Sequence, residues 1–170
     1  MLELTHDARD EAILEAQLQR PLRSEWRVSR RCHLGIPMAI ENHPYLDDGT
    51  PFPTLFWLTC PILVKRASQL EGQGWMAELN DRLSEDEALR ARLKTALARL
   101  LARREVHAHL VDSGSLPGGG PDKVKCLHAH LAHELSDTPN PVGSLTLSTV
   151  GWPDCRVPCV NVPGAGTEAT

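Results

Sequence analysis

One thiol and three imidazoles lie close together between residues 121 and 135, in the stretch PDKVKCLHAHLAHEL. If this stretch forms one helix, about 100° of rotation per residue places Cys126, His130 and His133 on one face. The opposite face is then an apolar stripe of Val124, Leu127, Leu131 and Leu135. Such a helix would bury the stripe in the core and expose metal ligands on its other side.

Two more cysteines lie at the ends of predicted elements. Cys32 ends a strand-like run, and Cys60 stands just before Pro61, which suits the first position of a helix. Thiolates and imidazoles suit Zn²⁺, Fe²⁺ or an iron–sulfur cluster far better than Mg²⁺ or Ca²⁺. The sequence therefore predicts a transition-metal site, with zinc favoured and an iron–sulfur cluster as the alternative. Its candidate ligands are Cys32, Cys60, Cys126, His130 and His133.

The same residues allow other interpretations. The cysteines could be small buried hydrophobes, as free cysteines often are. Cys126 could instead be a nucleophile, because a predicted helix start and nearby lysines favour the thiolate. In that hypothesis the catalytic group is Cys126 with His128, and Asp122 is a candidate for orienting the imidazole.

A glycine-rich stretch precedes the Cys/His segment. Backbone N–H groups of such a loop, placed before a helix, can bind a phosphate or carboxylate group. The stretch matches neither common nucleotide-binding pattern, and Pro121 removes one donor. The candidate anion-binding residues are Arg30, Arg31, Gly119, Gly120, Lys123 and Lys125.

Composition limits the class of protein. The 170 residues suit one domain, with 41% hydrophobic and 24% charged residues. A net charge of −4 argues against a dedicated nucleic-acid surface. Neither a secretion signal nor a membrane-length apolar run is found, so we expect a cytoplasmic protein with reduced cysteines.

The order of the patterns predicts an α+β fold that is mainly helical, with a small β-sheet and four to five packed helices. One domain is expected over residues 1–145, followed by an extended tail over 146–170 that is rich in Gly, Pro, Ser and Thr. The longest helix is predicted to start at a capping box of Ser84 and Glu87. Its arginines are predicted to form a solvated face: Arg90, Arg92, Arg99, Arg103 and Arg104.

Several motifs occur together in this order: Arg31-Cys32 with Gly35 and Pro37, then DGTPFPTL, LTCP, PDKVKCLH and NPVG. With them the chain resembles the bacterial DUF501 family over roughly residues 5–145. That family has no established activity. The resemblance implies that Cys32, Cys126, His128 and His133 belong to its pattern, while Cys155 and Cys159 have no counterpart in it.

Three functional hypotheses follow. The first is a metal-binding protein, with a small metalloenzyme acting on an anionic substrate as its enzymatic form. The second is a metal-free interaction module that binds a protein partner through the arginine-bearing helix. The third is a thiol enzyme with Cys126 as nucleophile.

Overall fold

The computed structural model describes residues 7–110 and 116–161, and it confirms the predicted α+β, mainly helical class. The described elements, in chain order, are α1 (Ala8–Leu18), β1 (Trp26–Arg31), β2 (Pro37–Asn42), β3 (Phe56–Leu58), α2 (Pro61–Gly72), α3 (Trp75–Glu85), α4 (Glu87–His107), β4 (Gly119–Gly120), β5 (Lys123–Val124), α5 (Leu127–Ser136) and α6 (Pro141–Val150). No helix of the described chain is long and apolar enough to cross a membrane.

The first three strands form an antiparallel sheet in the order β1-β2-β3. Every residue of β2 is buried, because helices cover both faces of this central strand. The main core lies between the sheet and helices α2 to α6, and α5 packs on β2 and β3. A smaller cluster of Leu14, Trp26 and Ile40 lies under α1. The sheet thus fixes the position of α5, which packs directly on it.

A buried carboxylate joins the sheet to α4. Glu41 of β2 is fully buried and accepts hydrogen bonds from Arg27 (2.8 Å), Arg103 (2.7 Å) and His107 (2.9 Å). Burial alone would raise the pKa of Glu41, but the bonds from Arg103, His107 and Arg27 lower it to about 2. The ionised carboxylate therefore fixes α4 against the sheet.

The structure corrects two predictions about α4. The helix is capped by Asp86, whose side chain accepts from the Leu89 N–H, and not by Ser84. The solvated arginine face is also wrong in part, because Arg103 binds Glu41 and Arg104 is only 1% exposed. Two further members of that face hydrogen-bond to backbone carbonyls of the chain itself: Arg90 and Arg99. Arg92 and Lys94 remain exposed on this helix, and the interaction module stays a prediction.

The predicted Cys/His helix begins later than expected. Strands β4 and β5 form a short hairpin, so Val124 is in a strand, and α5 starts only at Leu127. Gly119 explains the turn: its φ is +106°, and a Cβ there would lie 2.0 Å from the Lys123 carbonyl oxygen. Only glycine allows the chain to fold back so closely. Cys126 is therefore the extended N-cap residue, outside the helical register.

The end of the chain also differs from expectation. Helix α6 spans residues 141–150 and so crosses the predicted start of the tail at residue 146. It packs against α5 at Gly143, where a Cβ would lie 2.2 Å from the His130 carbonyl oxygen. Residues 151–161 follow without regular secondary structure, and the rest of the predicted tail lies outside the described residues.

Candidate functional site: a Glu/Cys/His cluster

Three possible metal ligands from two elements converge beside the start of α5. The ligand atoms of Glu71, Cys126 and His128 all lie within 4.8 Å of one another, and all three residues are half-buried. Glu71 comes from the last turn of α2, while Cys126 caps α5 and His128 lies in its first turn. We call this group the Glu71–Cys126–His128 cluster.

The imidazole of His128 is held in a defined orientation by α2. Its Nε2 lies 3.1 Å from the Val64 carbonyl oxygen and 3.1 Å from the Ser68 hydroxyl oxygen. A carbonyl can only accept, so Nε2 carries a hydrogen. The other nitrogen, Nδ1, faces the Glu71 carboxylate at 3.2 Å and the Cys126 sulfur at 3.9 Å. Val64, Ser68 and Glu71 can all reach α5 because their spacing puts them on one helix face.

The cluster favours charge separation between sulfur and imidazole. Burial alone would raise the pKa of Cys126, but the bonds from His128 and from the Ala129 backbone N–H lower it. The Cys126 bond raises the pKa of His128 to about 9, against an opposing effect of burial and with help from Glu71. Both shifts favour the charged forms, a thiolate at Cys126 and an imidazolium at His128.

A cavity of about 300 Å³ opens onto this cluster. Cys126, His128 and Ala129 form one side of it. The remaining lining residues are mostly apolar: Thr54, Phe56, Trp57, Leu58, Pro117 and Gly118. A small molecule with an apolar group would therefore fit beside the sulfur.

Two other predicted ligands on α5 lie in a separate buried network. His130 and His133 are each 1% exposed, and the Asn140 side-chain amide donates to the Nδ1 atoms of both, at 3.2 and 2.9 Å. His130 also donates from Nε2 to the Gly118 carbonyl oxygen at 3.1 Å. Burial is the main cause that lowers the pKa of each imidazole to about 4. We call this group the Asn140 network.

The predicted five-residue ligand set is not brought together as one group. Among the described residues, no other three Cys, His or acidic ligand atoms lie within 4.8 Å of each other, so His130 and His133 form no such group with Cys126. Cys32 lies at the end of β1, and Cys60 is the buried N-cap residue of α2.

The predicted anion-binding residues are dispersed as well. Arg31 donates to Asp10 at 2.8 Å, and the Arg30 guanidinium lies over the Trp152 ring. The Gly119 N–H is used inside the turn, where it donates to the Leu116 carbonyl oxygen. Neither arginine lines the cavity beside Cys126. The other members are in or next to the β4–β5 hairpin: Gly120, Lys123 and Lys125.

The acidic residue beside His128 is Glu71, and not the predicted Asp122. Asp122 is exposed in the hairpin turn and has no hydrogen bond to Cys126 or His128 in the described structure. Glu71 takes the place of the acid, and it also accepts the Leu127 N–H at 2.7 Å. One signal existed: an acid in the last turn of a helix opposes the helix dipole, and α2 has no basic residue there.

The family comparison covers the cluster and most of the fold. Residues 28–148 match the family described as "Protein of unknown function (DUF501)". The chain belongs to the DUF501 family. No curated protein and no solved structure gives a match. In this DUF501 protein the matched region includes Glu71, Cys126, His128 and Asn140, whereas Cys155 and Cys159 lie beyond it.

Proposed function

We propose that this DUF501 protein binds one transition-metal ion, with zinc favoured, through Glu71, Cys126 and His128. The observation that carries the proposal is the convergence of one oxygen, one sulfur and one nitrogen within 4.8 Å. These are the three ligand atom types that zinc takes from proteins. A single thiol makes a mononuclear ion a better fit than an iron–sulfur cluster, which is held mainly by several cysteines.

The environment of His128 supports this assignment. Ligating histidines usually donate their second ring N–H to a carbonyl or carboxylate, which fixes the ring and leaves the other nitrogen free to bind metal. In this protein the Val64 carbonyl oxygen accepts the hydrogen of His128 Nε2 at 3.1 Å. Nδ1 would exchange its proton for the ion.

Three protein ligands leave a coordination position open, as catalytic zinc sites do. The cavity beside Cys126 and His128 gives a substrate access to that position. A metal bound there would supply Lewis acidity. The apolar lining favours a substrate with an apolar group next to its reacting atom, in place of the small anionic substrate predicted from the sequence.

A thiol enzyme is the second candidate, because Cys126 and His128 are a close pair that faces the cavity. The arrangement differs from a nucleophile–base–acid relay in one respect. Cys126 and Glu71 both approach Nδ1, while a carbonyl oxygen takes the far nitrogen. In a relay the acid would hold the nitrogen opposite the nucleophile. Convergence on one nitrogen therefore favours an ion over a relay.

The test is metal analysis of untagged protein purified without oxygen or chelator. We expect Glu71→Gln, Cys126→Ser and His128→Gln each to lose about one equivalent of metal. His109→Gln is the matched control, because this histidine is exposed on the surface. Retention of full metal by all three variants would contradict the proposal. A metal-free wild-type protein whose Cys126 is alkylated fastest by iodoacetamide would favour the thiol enzyme.

A further inference from the structure

Four cysteines outside the Glu71–Cys126–His128 cluster lie around the corner where β2 begins. The Cys32 N–H donates to the Ile36 carbonyl oxygen at 2.9 Å, and the Cys60 N–H donates to the Met38 carbonyl oxygen at 3.2 Å. These two residues thus flank the first residues of β2. The other two come from the segment after α6, and the group is called here the four-cysteine cluster: Cys32, Cys60, Cys155 and Cys159.

The segment after α6 is attached to this corner by polar contacts. The His33 ring donates from Nε2 to the Cys155 carbonyl oxygen at 2.7 Å. The Gln17 amide donates to the Pro37 carbonyl oxygen at 2.9 Å and lies 3.7 Å from the Cys159 sulfur. Farther back in the segment, Trp152 stacks under the Arg30 guanidinium. These contacts bring two thiols from the chain end to the two near β2.

Four of the six sulfur pairs interact electrostatically: Cys60 with Cys155, Cys60 with Cys159, Cys155 with Cys159, and Cys155 with Cys32. Burial is the main reason that the pKa of Cys60 is raised, and the nearby thiols of Cys159 and Cys155 raise it further. The pKa of Cys155 is raised by burial and then by Cys159 and Cys32.

We propose that Cys32, Cys60, Cys155 and Cys159 bind a second metal ion, a structural Zn²⁺, which fastens the segment over 151–161 to the sheet. Four thiolates are a common structural zinc ligand set. The backbone N–H groups of Leu63 and Ile62 at the start of α2 bond to the Cys60 sulfur.

Binding would tighten the corner. No three of these sulfurs lie within 4.8 Å of each other in the described chain, whereas zinc–sulfur bonds of about 2.3 Å require closer approach. The segment over 151–161 can supply the movement without breaking a helix or a strand, because it has neither.

The experiment compares metal content in the full-length chain with Zn²⁺ as the probe. The double variant Cys155→Ser/Cys159→Ser is chosen because both thiols lie outside the buried core, so the fold should persist. We expect it to lose about one equivalent of zinc, with the loss of the thiolate charge-transfer band after Co²⁺ substitution. Val157→Ser, an exposed change in the same segment, is the control and should lose nothing.

A second readout uses the exposed Arg156, which lies between the two thiols. Zinc should slow tryptic cleavage after Arg156 roughly tenfold in wild-type protein and not in the double variant. Full metal content in the double variant, or unchanged cleavage on zinc removal, would overturn the proposal. A metal-free protein with a disulfide among the four cysteines would also overturn it. Cys126→Ser reports separately on the first site, because it should leave the cobalt band of the four-cysteine cluster intact.

Discussion

The start of α5 and its middle contain the same kind of side chain in opposite settings. At the start, His128 is half-buried beside a cavity, and its Nδ1 faces a sulfur and a carboxylate oxygen. In the middle, His130 and His133 are sealed in the core, and both Nδ1 lone pairs are taken up by one Asn140 amide. The histidines of α5 therefore form two groups. The Nδ1 atoms of His130 and His133 face the Asn140 amide in the core, whereas that of His128 faces Cys126 and Glu71 beside the cavity. The Asn140 network supports the fold, and the Glu71–Cys126–His128 cluster is available for chemistry.

The largest effect should come from removing the centre of the Asn140 network. Asn140→Ala leaves two buried imidazole acceptors without donors and removes the cap that accepts the Gly143 N–H. We expect it to lower the free energy of unfolding by about 4 kcal/mol, measured by urea denaturation. Thr138→Ala, an exposed change nearby, is the control and should cost less than about 1 kcal/mol.

Cys126→Ser should show the opposite pattern. We expect it to lose the metal ion while its free energy of unfolding stays close to that of the wild type. If Asn140→Ala leaves stability unchanged, the separation of the two regions is wrong.

Acid should destabilise the Asn140 network through His133. Burial is the main cause that lowers its folded pKa to about 4; Asp137 opposes the shift, and His130 and Arg99 add to it. An unfolded imidazole has a pKa of about 6.5, so the unfolded chain takes up the proton first as the pH falls. The contribution of His133 to stability is therefore full above about pH 6.5 and is lost towards pH 4, with about 2 kcal/mol lost between pH 7 and pH 5. His130, whose pKa burial also lowers to about 4, adds a loss in the same direction.

The check is a series of urea unfolding curves between pH 7 and pH 5. Glu41 adds little in this range, because its pKa is lowered to about 2 and its stabilising effect is lost only at more acidic pH. His133→Gln cannot titrate, so its stability should fall less steeply with acid than that of the wild type. Equal slopes for the two proteins would show that His133 is not the group responsible.

A smaller effect is expected where α6 crosses α5. Gly143→Ala would place a Cβ against the His130 carbonyl oxygen and the Glu134 side chain, so the helices must separate. We expect a loss of about 2 kcal/mol in the free energy of unfolding. Ser144→Ala, on the next residue, is the control with an effect within about 0.5 kcal/mol. A stability for Gly143→Ala equal to that of this control would contradict the close packing.

The smallest effect should come from the outer contact of the Glu71–Cys126–His128 cluster. Ser68→Ala removes the hydroxyl beside His128 Nε2 and leaves the Val64 carbonyl oxygen in place. We expect metal affinity to fall about tenfold or less, with a stability change below about 1 kcal/mol. Competition with a chromogenic chelator measures the affinity. Ser148→Ala, at an exposed position of α6, is the matched control and should leave the affinity unchanged.

The helices that sequence patterns predicted best have clear ends. Pro61, which suits the first position of a helix in the sequence, is the first residue of α2 in the structure. The error before α5 arose because helical periodicity continues through a segment whose glycines favour a hairpin. The close approach of the Lys123 carbonyl oxygen to Gly119 depends on the backbone alone, so the spacing of apolar residues does not predict it.

The candidate site was predictable only in part. Cys126 and His128 are two residues apart, so their proximity could be inferred from the sequence. Glu71 is 57 residues away from His128, and only the packing of α2 on α5 brings it to the imidazole. Cys155 and Cys159 lie outside the family motifs, so the sequence gives no reason to group them with Cys32 and Cys60. The segment after α6 brings these two cysteines back to β2 through single contacts, and such contacts produce no periodic pattern in the sequence.

The buried Glu41 has a consequence for genetic screens of this protein. Any neutral replacement there would remove the carboxylate that both Arg27 and Arg103 bind and leave two partly buried cations without it, a loss as damaging as deletion of a catalytic group. In a library of single substitutions scored by growth, Glu41 should therefore rank beside Cys126 or above it. Abundance of each variant in the cell would tell the two apart, because depletion of Glu41 variants should track missing protein, and depletion of Cys126 variants should occur at normal protein levels.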